Sequence, residues 1–124
     1  MKLFKACRPP NHQIVICDPT SNVEVPDWQK GAQWVATDTC ILCMCMIDFE
    51  GETNLTLGPG KEVEADIDGA PVFDGVLKTP GRRIVLETVW HDPLLAMATA
   101  GPETRVRIWT NRPVTPDEVI VGVD

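Results

Sequence analysis

The sequence predicts an all-β fold: an antiparallel two-sheet β-sandwich of eight to nine short strands, with at most one or two short helical turns. Three features carry that expectation. Cys40-Ile-Leu-Cys-Met-Cys-Met-Ile47 is a run without charge, proline or glycine, flanked by Asp38 and by Asp48-Phe-Glu-Gly51. Its length and its bounding turn residues read as a strand buried on both faces, well short of the roughly 20 apolar residues that cross a bilayer. Eleven prolines and nine glycines punctuate 124 residues, which favours turns over long helices. The other apolar segments alternate with polar ones and show no strand–helix–strand rhythm, so pairing should be mostly antiparallel. Residues 1–124 make one domain, long enough for a single core.

Taken in order, Gln13-Ile-Val-Ile-Cys17 is a short strand after Pro9-Pro10, and Asp18-Pro-Thr-Ser-Asn22 is a turn whose side chains bend the backbone locally. Val23-Glu-Val25 reads as a further extended piece ended by Pro26. Asp27 to Gln33 has room for one helical turn before Gly31 stops it. Trp34-Val-Ala36 leads into the central run. Thr53-Asn-Leu-Thr-Leu57 alternates as a half-buried strand should. Lys61 to Asp68 alternates too, with Val63, Ala65 and Ile67 on one face and Glu62, Glu64, Asp66 and Asp68 on the other. Val72 to Leu77 is a strand with Gly75 at a bulge position. Arg83 to Trp90 puts Ile84, Leu86, Thr88 and Trp90 on one side until His91-Asp-Pro93 breaks it. Leu94 to Thr99 fits strand or helix. Arg105-Val-Arg-Ile-Trp109 alternates again, and Glu118 to Val123 is the last strand.

The net charge of −7 is unevenly spread. Glu24 to Asp74 holds 11 acidic and 2 basic residues, whereas the flanks hold 7 acidic and 9 basic. Such a chain is not a nucleic-acid binder, because phosphates require Lys and Arg. It suits a basic protein partner, whose encounter the field would accelerate. The bland alternatives are solubility, or internal neutralisation of the acids by Arg105 and Arg107, which share a strand face. Of the four tryptophans, at 28, 34, 90 and 109, most belong in the core. Trp28, between Asp27 and Gln29, is the candidate for an exposed interface anchor.

The odd number of cysteines, at 7, 17, 40, 43 and 45, argues against a secreted disulfide scaffold. The amino terminus has no apolar h-region, and Lys5 argues against a lipoprotein cleavage site at Phe4-Lys-Ala-Cys7. The reading is a reduced, cytoplasmic protein without a membrane segment. On a strand Cys40 and Cys43 face opposite ways, so they do not chelate one ion. No second Cys or His pair completes a zinc site, and no metal or cofactor is expected. Ser21 lies in a turn outside any nucleophile motif, and His91 reads as a turn residue, so an enzyme is not the expected reading. Asp66-Ile-Asp68-Gly69 matches the start of a calcium loop but has Leu77 where the closing Glu belongs.

Three stretches together resemble the DNA-entry nuclease inhibitor (competence protein J-like) family. They are Asn11-His-Gln-Ile-Val-Ile-Cys-Asp18 followed by Pro26-Asp-Trp28, Gly31 through Ala36 to Asp38, and Arg105-Val-Arg-Ile-Trp-Thr110 before a Pro-rich turn and terminal strand. The cysteine cluster departs from that pattern. The resemblance implies a small acidic protein that binds and inhibits a partner nuclease. With the charge pattern, it implies an intracellular inhibitor or immunity-type protein meeting a basic nuclease or toxin through Glu62, Glu64, Asp66 and Asp68, with Trp28 as apolar anchor. A structural or assembly sandwich of a phage or secretion apparatus, and a C2-like calcium-binding sandwich, are the alternatives.

Overall fold

The computed structural model describes residues 1–124. Its strands are β1 (Leu3–Cys7), β2 (Gln13–Cys17), β3 (Trp34–Ala36), β4 (Cys40–Met44), β5 (Thr53–Pro59), β6 (Phe73–Lys78), β7 (Arg83–Glu87), β8 (Pro93–Ala98), β9 (Glu103–Thr110) and β10 (Glu118–Val123). A short helix, α1 (Gly60–Glu64), and a 3-10 turn, Pro10–His12, complete the chain. One sheet runs β1-β5-β10-β9-β6 and the other β3-β4-β2-β7-β8. Every pairing is antiparallel except β5 with β10. The fold is therefore the expected sandwich. It has ten strands instead of eight or nine, because Leu3–Cys7 and Trp34–Ala36 each pair as strands of their own.

Alternation places the core. Ile14, Ile16, Ile41 and Cys43 from one sheet meet Leu55, Leu57, Val106, Ile108, Val119 and Val121 from the other. Burying a large aliphatic side chain contributes about 1.5–3 kcal/mol, so this layer dominates stability. Val15, Cys17, Cys40 and Leu42 point the opposite way and are buried as well. The loop after β2 covers them, packing Val23 and Trp28 on that outer face. Cys40 to Cys43 are thus buried on both faces, as read from the composition, but the strand ends at Met44, short of the expected Ile47, and Met46 and Ile47 are only half-buried. Buried Asp18 pins the start of this loop. Its Oδ1 accepts from the Thr20 amide at 2.9 Å and its Oδ2 from the Gly81 amide at 2.6 Å.

Trp34 closes one side of the sandwich. On edge strand β3, it meets Phe73 of edge strand β6 at 4.8 Å between centroids and 77° between planes. Its indole N–H donates to the Val72 carbonyl at 2.8 Å. Joining two open edges removes a pairing hazard.

Several expectations fail. Lys61 to Asp68 is not a strand: Gly60–Glu64 is helical and the chain then turns. Val23–Val25 forms no strand, and Asp27–Gln33 no helix. Trp90 leaves the inward face because β7 ends at Glu87, and the following turn leaves it 70% exposed. Of the four tryptophans only Trp109 is fully buried. No helix is long and apolar enough to cross a membrane.

Candidate functional site

The four carboxylates singled out from the sequence sit on a strap, residues 60–69, laid across the outer face of the first sheet. Lys, Glu and Ala are good helix formers, and the preceding strand β5 is already paired on both sides by β1 and β10, so the segment coils instead of folding back on it. Glycine makes the close approach possible. A Cβ on Gly122 of β10 would stand 2.7 Å from Cγ2 of buried Val63. The carboxylates do not form a ladder of like charges, since three find cations of the same chain. Glu62 lies 2.7 Å from the Met1 ammonium, Glu64 3.1 Å from Arg107, and Asp66 pairs with Lys2. Asp68 is in no ion pair.

Behind the strap, Arg107 also meets Asp124 at 3.2 Å and stacks 5.5 Å over Trp109, whose indole N–H donates to the Gly69 carbonyl at 3.3 Å. Arg105 grips Asp74 with two hydrogen bonds of 2.9 and 2.8 Å. Those bonds hold the Asp74 carboxyl below its ordinary value. Internal neutralisation by Arg105 and Arg107 is thus present, directed at Asp74 and Asp124 as well as Glu64.

Trp28 is not with these residues. It is half-buried against Val15, Cys17, Cys40 and Leu42 on the outer face of the second sheet. The strap and Trp28 lie on opposite sides of the sandwich, so one flat interface does not include both. Carboxylates free of internal ion pairs gather instead in the β4–β5 loop, where Asp48, Glu50 and Glu52 surround Phe49, 82% exposed. Sequence reading treated that loop as a turn. The signal it carried was an aromatic among acids with no apolar neighbour to pack on.

The thiols are structural in placement. All five cysteines are free. Burial pushes Cys17, Cys43 and Cys45 up to about 12 and Cys40 up to about 11. Cys43 and Cys45 share the inner core while Cys40 faces outward. In the would-be calcium loop Asp66 is held by Lys2, and no group of three His, Cys, Asp or Glu side chains is placed to hold a metal ion.

A groove of about 630 Å³ lies on the outer face of the second sheet. Val15, Leu42 and Val85 form its floor, and Val23, Val25 and Val89 line its sides. Glu87 opens into it although only 6% exposed. Its Oε1 accepts from His91 Nδ1 at 3.0 Å, in the tautomer that places the proton there, and from the Cys17 thiol at 3.7 Å. The turn holding His91 is fixed by Thr88, whose hydroxyl accepts from the amides of Trp90 and Asp92, both at 3.2 Å. The carboxylate stands between thiol and imidazole. The imidazole is therefore not placed to deprotonate Cys17, and the group is no nucleophile–base pair. Sequence reading placed Glu87 on one strand face with Arg83, as a charge for ion pairing, and did not single it out as a site, because opposite Leu86 and Thr88 it reads as a solvent-facing position.

The two five-stranded sheets, with one parallel pairing between β5 and β10, define the class: a small acidic β-sandwich, whose fold is ComJ-like. Two solved structures share it. ComJ, inhibitor of the DNA degrading activity of NucA, from Bacillus subtilis, superposes with a TM-score of 0.69 at 14% identity, over 98% of this chain and 93% of that one. The product of crocagin biosynthetic gene J superposes with a TM-score of 0.52 at 10% identity, over 98% and 94%. No protein-family model and no curated protein matches the chain. The likeness to the nuclease-inhibitor family read from three short stretches is thus carried by the whole fold.

Proposed function

We propose that this chain is a protein inhibitor, of nuclease-inhibitor or immunity type, that blocks a basic partner enzyme in a reducing compartment. The observation that carries the reading is the ComJ-like fold over 98% of the chain. The net charge of −7 supports it, since a nuclease presents cations to phosphate and an acidic protein competes for them. In this reading Glu62, Glu64, Asp66 and Asp68 supply the acidic contact, and Trp28 stays on the far face. The three internal pairs do not oppose that role. Exposed ion pairs contribute only about 0–1 kcal/mol, so a partner's arginines exchange for Met1 and Lys2 at small cost, and buried Arg107 keeps Asp124 when Glu64 turns to the partner.

The test begins with capture of partners from the native cell and mass spectrometry, including the product of the neighbouring gene. Plasmid degradation by the captured nuclease is then measured with and without this protein. Inhibition that weakens as salt rises is expected, because steering by exposed charge is screened over about 10 Å at 0.1 M. Reversing Glu62, Glu64 and Asp66 to Lys should weaken inhibition at least about tenfold, roughly 1.4 kcal/mol. A triple variant that loses stability but inhibits fully would reduce the strap to an internal fastening. A wild-type protein that inhibits no captured nuclease would end the reading.

A further inference from the structure

We propose that the groove over Glu87 is a second recognition site, which takes one lysine or arginine side chain carried on an otherwise apolar segment of a protein partner. The site does not depend on the nuclease reading and lies across the sandwich from the strap. Three observations converge on it.

The first is an acid without a matching cation. Glu87 is paired across the sheet with Val15 on one side and Pro93 on the other, so its carboxylate lies among apolar neighbours. Beside the neutral Cys17 thiol, its only ion-pair contact is His91, whose side chain is 76% exposed. Both hydrogen bonds fall on Oε1, and Oε2 has none. Burying a carboxylate away from water is costly unless a cation and further hydrogen bonds compensate it. A cationic head group on Oε2 would complete the set.

The second is the groove's shape and lining. At about 630 Å³ it is in the range of sites that enclose a ligand. Val15, Leu42 and Val85 offer an aliphatic floor for the methylene stem that lysine and arginine lay along apolar surface. The rim adds exposed apolar area. Val25 is 59% exposed, and Trp90 stands at the tip of the turn that carries Val89 and His91. A free small cation would leave this area uncovered, whereas a segment with apolar flanks covers it.

The third is the groove's polarity. Arg83 lies on the same face of β7, four residues from Glu87 and also in the lining, so about 13 Å away at about 3.3 Å per residue. That is too far to pair with Glu87. It is close enough to repel a second cation, so the groove accepts one basic residue and rejects a polybasic tract.

The test is a titration of the isotope-labelled protein with the blocked tripeptide acetyl-Val-Lys-Val-amide, against the same peptide carrying norleucine for lysine, followed by amide chemical shifts. Saturable shifts at Val15, Val85, Glu87 and His91 are expected, with the lysine peptide at least about tenfold tighter. Glu87→Gln keeps the shape and the His91 hydrogen bond, and should bring the two affinities together. Val25→Lys alters an exposed rim residue on which folding does not depend. By placing an intramolecular cation at the groove, it should weaken the lysine peptide about tenfold. Equal binding of both peptides, or shifts confined to residues 60–69, would overturn the proposal. So would concentration-dependent shifts of the groove amides without peptide, which would assign the groove to a second copy of the chain.

Discussion

Replacing Gly122 by Ala tests how the strap is held. The new methyl would lie 2.7 Å from Val63 Cγ2, 3.2 Å from Gly60 Cα and 3.3 Å from Trp109 Cζ3. Ordinary carbon contacts are about 3.5–4.0 Å, so the shortest of these is about 1 Å too close. Val63 and Trp109 are buried and the Gly60 atom is backbone, so no neighbour swings aside freely. Overpacking of this kind costs about 1–3 kcal/mol. We expect about 2 kcal/mol, which for a domain of this size lowers Tm by roughly 6–10 °C. Val63→Ala removes the clashing carbon and by itself should cost about 1–2 kcal/mol in lost burial. In the double variant the new methyl occupies the vacated space, so the combined loss should fall short of the sum by about 1 kcal/mol or more. Urea unfolding followed by tryptophan fluorescence measures all four proteins. A Gly122→Ala change under about 0.5 kcal/mol, or additive losses in the double variant, would refute tight seating of the strap on β10.

Two further outcomes follow from the core and the edges. Cys17, Cys43 and Cys45 have folded pKa values raised to about 12, against about 8.5 for a free thiol. Their neutral form is favoured on folding, so their contribution is fully present below the unfolded value and is lost as pH rises toward the folded one. The urea midpoint should hold between pH 7 and 8 and fall steadily from pH 9 upward, less so in a Cys17→Ala, Cys43→Ala variant; parallel profiles for the two proteins would contradict this. Trp34→Ala removes the edge-to-face contact and the hydrogen bond that join β3 to β6. It should cost about 2 kcal/mol, less than a fully buried tryptophan, and speed hydrogen exchange in both strands, whereas unchanged exchange in β6 would show that the edges hold without it.

The strands that were legible are those whose alternation matches a sheet position. In Thr53–Leu57 and Arg105–Trp109 every second residue enters the core, and period two is a local property of the chain. The Cys40 run was legible for a different reason: apolar residues at consecutive positions require cover on both faces, and the loop bearing Val23 and Trp28 supplies it. Lys61 to Asp68 shows where the pattern misleads. Its alternation is as regular as any strand's, but Lys, Glu and Ala favour a helix, and a sheet with β10 between β5 and β9 offers the segment no interior edge.

What the sequence determined by itself is what depends on neighbours in the chain: the all-β class, the turns at proline and glycine, the concentration of acid between Glu24 and Asp74, and the doubly buried central strand. What the tertiary structure alone decided is which groups meet across 60 residues or more. Met1 and Lys2 reach Glu62 and Asp66, and Cys17 reaches Glu87. Burial and ion pairing depend on distance in space. Loop closure brings remote residues together at an entropic cost that grows only slowly with their separation, so local periodicity does not encode them.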